Sequence, residues 1–104
     1  MDVLFRQSAL LSVDRYDRFR HRLGHEPMGS EILAAIEERL ETATTWQEIA
    51  APVYRIRGEA LPVKRLLVRV RSKQFKTYVR PGPQPAVATV THIRHPGQPP
   101  IERS

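Results

Sequence analysis

At Pro52 the spacing of hydrophobic and polar positions changes from about 3.6 to 2, separating a mainly helical half from a strand half. Val3 and Phe5 alternate with Leu4 and Arg6, a short strand-like opening. Tyr16, Phe19 and Leu23 then recur at helical spacing, with Ser12 as the expected N-cap and Gly24 and Pro27 as the stop. Ile32, Leu33, Ile36, Leu40 and Ala43 follow at intervals of three and four behind a second expected N-cap, Ser30. Glu31, Glu37, Glu38 and Glu41 fall mostly on the opposite side of that helix. Thr45 and Glu48 have capping-box spacing, which predicts a further turn of helix ended by Pro52.

Beyond Pro52 apolar positions alternate with polar ones and β-branched residues take over, predicting antiparallel strands over 53–57, 64–71, 75–80 and 87–94. In the second, Leu66, Val68 and Val70 point one way and Arg65, Leu67, Arg69 and Arg71 the other. Ser72, Lys73 and Gln74 are expected to connect this strand to the next. Register that keeps the apolar sets together adds Lys76, Tyr78 and Arg80 to the arginine face. The expected fold is α+β: an N-terminal strand and two helices packed on one face of a small antiparallel sheet. Residues 1–95 form the single domain, and 96–104, rich in proline, form a flexible tail.

Charge sharpens this picture. Residues 1–50 carry six Lys/Arg against nine Asp/Glu, whereas residues 51–104 carry eleven against two. No acid occurs from Ala60 to Ile101, so the basic field belongs to the strand half and attracts polyanions: RNA, another nucleic acid or an acidic protein segment. With no cysteine, disulfides and thiolate sites are excluded. No run approaches the roughly 20 apolar residues that span a bilayer, and no leader pattern opens the chain, so a cytoplasmic protein without a membrane role is expected.

Two constellations carry candidate chemistry. Arg57, Arg65, Arg69, Arg71, Lys76, Arg80 and Arg94 offer guanidinium forks and an ammonium to phosphates, with Tyr78 placed to stack a base. His92, Arg94 and His95 close the last strand, and two imidazoles beside arginines supply the base, the acid and the cations with which an RNA 2′-hydroxyl can attack its own phosphate without a metal. His92 and His95 should face opposite ways on an extended strand. His21 and His25 lack a convincing third ligand, so no metal or other cofactor is expected. Tyr16, Phe19 and Trp46 read as core, and no Gly-rich phosphate loop or nucleophile elbow occurs.

The opening strand, the two helices and a basic meander closing on Ala88-Thr89-Val90-Thr91-His92-Ile93-Arg94-His95 resemble the RelE/ParE toxin superfamily in order of elements over about residues 2–95. The resemblance implies either mRNA cleavage at the ribosome or poisoning of gyrase, and an acidic, antitoxin-like protein partner. It gives Arg65 and Arg69, with Arg71, the place of the basic strand residues and His92 or His95 the terminal position, so His92, Arg69 and Arg65 are the catalytic candidates. A tyrosine common near the family's terminus is missing, since His95 is followed by Pro96 and Gly97. A non-catalytic basic adaptor for nucleic acid or an acidic protein would use the same sheet face.

Overall fold

The computed structural model describes Met1–Ser104. Strand β1 (Asp2–Phe5) leads directly into helix α1 (Gln7–Arg22), well before Ser12. Ala9, Val13 and Tyr16 recur at spacings of four and three and form the buried stripe that sets this helix on the sheet. Ser12 sits inside the helix, its hydroxyl donating to Ser8 O at 3.0 Å, and Phe19 lies on the exposed side rather than in the core.

Helix α2 (Gly29–Glu41) buries Ile32, Ile36 and Leu40 completely, one above the other, each burial contributing about 1.5–3 kcal/mol. Its N-terminus is capped by Asp17 of α1 in place of Ser30. The carboxylate accepts the backbone N–H groups of Met28 (2.7 Å) and Gly29 (3.0 Å), satisfying two orphan donors at the positive end of the helix. A Cβ at position 29 would stand 2.5 Å from Asp17 Oδ2, so glycine is what permits this approach. A single 3-10 turn, Trp46–Glu48, then leads to a two-residue strand β2 (Val53–Tyr54).

Strands β3 (Val63–Val70), β4 (Lys73–Pro81) and β5 (Val87–Arg94) complete a five-stranded sheet of order β1-β5-β4-β3-β2. All pairings are antiparallel except β1 with β5, which is parallel. Leu66, Val68 and Val70 of β3, Phe75 and Val79 of β4, and Val90 and Ile93 of β5 meet both helices in one core. The fold is therefore the expected α+β arrangement. No helix is long and apolar enough to cross a membrane.

Two local features position the outer face. The hairpin β3–β4 turns on Arg71 and Ser72 alone, both at positive φ (50° and 68°), a two-residue turn where a longer connection was expected. Between Tyr78 and Val79 the β4–β5 register shifts, so that Tyr78 pairs with His92 but Val79 with Val90, leaving Thr91 as an extra residue. Strict alternation would send Val90 and His92 to one face. The bulge lets Val90 enter the core while His92 turns outward.

The tail is folded back. Ile56, Val63 and Tyr78 form a small second core on the outer face, with Tyr54 and Ile101 packed against it. Ile101 N–H donates to Tyr78 Oη (3.0 Å), Arg57 N–H to Glu102 O (3.0 Å) and Ser104 N–H to Arg55 O (3.1 Å). An apolar patch on the outer face is thus covered by Ile101 and the residues around it.

Candidate nucleic-acid interface

The anticipated arginine face is a rim around this plug. Tyr78 is only 1% exposed, so it offers no ring to a base. Its neighbour Arg65 is half-buried, donating to Tyr54 Oη at 3.3 Å and stacking over that ring at 4.8 Å. Arg57 belongs to the covering segment and pairs with Glu102 at 3.1 Å, both exposed. Arg71 is consumed by the hairpin turn, where its guanidinium pairs with Glu31 of α2, a contact that raises its pKa further. Arg69 is exposed towards the far end of β3, opposite Gln74.

These placements separate the three catalytic candidates. Arg65 shares a row with His92, but Tyr78 stands between them on β4, which puts their backbones roughly 10 Å apart. Arg69 lies four residues further along β3, offset from that row by roughly 13 Å in the strand direction. Lys64, by contrast with the other cations of β3, points into the protein. Its ammonium donates to the carbonyls of Trp46 (2.8 Å), Gln47 (2.9 Å) and Ile49 (2.8 Å) and lies 4.5 Å from the Trp46 ring, while desolvation lowers its pKa. It pegs the 3-10 turn to the sheet.

What does assemble is a group at the end of β5. Beyond the last residue that β1 covers, β5 runs beside α1, and a cleft of about 290 Å³ opens there. His92 and Arg94 line it from the strand, Ser8, Ser12 and Arg15 from the helix, and Gln98 from the returning tail, with no carboxylate in its wall. Lys76 is the cross-strand partner of Arg94 and donates to Gln98 O at 3.0 Å. Arg15 escaped the sequence reading because it lies between Asp14 and Asp17 in the acidic half; only the helical period that brings Ser8, Ser12 and Arg15 to one side could have revealed it.

Thr91 holds the ring of His92 at Nδ1. Thr91 Oγ1 lies 3.0 Å from His92 Nδ1 and 3.3 Å from Tyr78 O; with its proton on Tyr78 O, the hydroxyl accepts from Nδ1–H. In that arrangement Nε2 carries the free lone pair. Burial lowers the pKa of His92; Glu59 opposes that shift, and Arg6 and Arg94 add to it. The imidazole is neutral at pH 7 and able to accept a proton.

His95 is turned the other way, as alternation requires. It stacks on Tyr16 with centroids 5.1 Å apart and accepts Gly97 N–H at Nδ1 (3.1 Å), its pKa lowered by burial and then by Lys76 and Arg94. It lines an adjacent hollow of about 180 Å³ that shares Arg15 and Gln98 with the first. No protein-family model, curated protein or solved structure matches this chain.

Proposed function

We propose that this chain is a RelE/ParE-like toxin that binds RNA in the cleft at the end of β5 and cleaves it with His92 as the base. The observation that carries the reading is the cleft that His92, Arg94 and Arg15 line together with no carboxylate in its wall, the His92 ring being held at Nδ1 by Thr91. Nε2 takes the proton of a 2′-hydroxyl; the 2′ oxygen bonds to phosphorus as the bond to the 5′ oxygen breaks, and that oxygen takes a proton from water. The products are a 2′,3′-cyclic phosphate and a 5′-hydroxyl. Arg94 and Arg15 supply positive charge where the phosphorane-like transition state gathers negative charge. An acidic, antitoxin-like protein would silence the site by covering the same cations.

The order of elements, strand, two helices and four strands, supports the family assignment. The separation of Arg65 and Arg69 from His92, together with the burial of Tyr78, favours a second reading, the non-catalytic adaptor. One experiment distinguishes them: the purified protein is incubated with labelled RNA at rising salt while intact strand and 2′,3′-cyclic ends are followed. Cleavage lost in His92→Ala but retained in Arg69→Ala supports the toxin reading. Salt-sensitive binding without cleavage supports the adaptor. Absence of both, with no growth arrest on expression, overturns the two together.

A further inference from the structure

Arg80 is a charge without a counterion. The chain's four ion pairs use Arg6, Arg18, Arg57 and Arg71. Arg80 has no carboxylate partner, and its Nε is sealed from solvent with no acceptor. The sealed Nε is out of a ligand's reach, so any anion that Arg80 binds must meet the terminal nitrogens of its guanidinium. The side chain stands at the wall of a pocket of about 450 Å³, the size of a small-ligand site.

The pocket is built by three adjacent strands and a turn. Arg80 of β4 pairs across to Thr89 of β5, and Thr89 to Leu4 of β1, so these residues form one row. Gly82 N–H donates to Val87 O at 2.8 Å and closes the β4–β5 turn so tightly that a Cβ at 82 would lie 2.5 Å from that oxygen; this holds Pro81 and Pro83 against the opening. Leu4 and Leu61, 50% and 45% exposed, form apolar walls. Arg6 also lines the pocket, but Glu59 already neutralises it, leaving Arg80 as the unmatched cation.

We propose that this pocket binds one nucleotide, with its phosphate on the Arg80 fork and its sugar and base against Leu4 and Leu61. A phosphate oxygen pair matches the free end of one guanidinium, whether in a diester or a monoester, and exposed leucines can cover the face of a base. The nucleotide comes either from a free 5′-monophosphate or from the RNA strand that passes His92; the second source rests on the proposed function. Both sites lie on the outer side of β5, at Thr89 and His92, and Arg6 is close enough to influence the His92 imidazole.

The test uses the full chain, fluorescence-labelled single-stranded RNA and, separately, adenosine 5′-monophosphate, at low and moderate salt. Arg80→Gln should weaken RNA binding about tenfold and reduce the salt slope by about one phosphate contact. Leu61→Glu, at an exposed position, should do the same by placing a carboxylate at the rim, and neither variant should lower the melting temperature. Monophosphate binding that Arg80→Gln abolishes identifies the free nucleotide as ligand; loss with RNA alone identifies the strand. If Arg94→Ala weakens RNA binding while Arg80→Gln and Leu61→Glu bind as wild type, the subsite is refuted and the proposed function stands. If RNA fails to bind but the monophosphate binds through Arg80, the subsite stands and the proposed function falls. Failure of wild type to bind either probe refutes both.

Discussion

Arg6 and Glu59, 53 residues apart in sequence, form a forked ion pair that ties the start of α1 to the loop over the outer sheet face. Glu59 is 5% exposed and Arg6 31%, so the carboxylate has given up most of its water for this one partner. Arg6→Met should therefore destabilise the protein by about 2–4 kcal/mol, because it strands a buried charge. The double variant Arg6→Met, Glu59→Leu should recover most of that loss. Denaturant titration of the three proteins checks both statements, and equal losses in single and double variants would contradict them.

Acid should weaken the fold through His92 and His95. Burial lowers both folded-state pKa values below the ordinary 6.5, so the unfolded chain binds protons first as pH falls. Stability is untouched above that value and declines below it until the folded imidazoles titrate as well. Melting temperature followed from about pH 8 to pH 5 should show this decline. It should be shallower in the His92→Gln, His95→Gln double variant. If His92 is the base of the proposed cleavage, that activity should fall over the same acid range as its imidazole is protonated.

The Arg71–Ser72 turn holds two non-glycine residues at positive φ. Ser72→Gly should stabilise the protein by about 0.5–1 kcal/mol by relieving the left-handed conformation. Arg71 is better kept, because its pair with Glu31 joins the hairpin to α2. A higher denaturation midpoint at unchanged slope would bear this out.

Tyr78→Phe removes only the acceptor for Ile101 N–H. The expected loss is about 1 kcal/mol, or about 4–6 °C in melting temperature. Amide exchange at Ile101, Arg103 and Ser104 should accelerate while that of β4 stays slow. Uniform acceleration across the sheet would show that the tail contributes to the main core instead of lying over it.

The period change at Pro52, the stripe Ile32, Ile36, Leu40 and the alternation of β3 made the α+β fold legible before any coordinates. What the sequence concealed was anything set by a partner distant along the chain. Asp17 caps α2 from another helix, and a bulge at Thr91 reverses the facing of His92 relative to Val90. The site was legible in part. His92 and Arg94 do share a cleft, but local alternation cannot tell that Ile56 and Ile101 will fold over Tyr78, nor that Arg71 will be spent on a turn. Lys64 shows the limit of counting charge: its parity with Leu66 already pointed it inward, where three carbonyls replace water.

The cover over Tyr78 restricts the shape of whatever this protein holds. A stiff duplex laid flat on the sheet would rest on the ridge made by residues 98–104 and stand off from the cations on either side of it. A slender, bendable strand can instead skirt the ridge, threading from the Arg80 hollow past His92 towards Arg15.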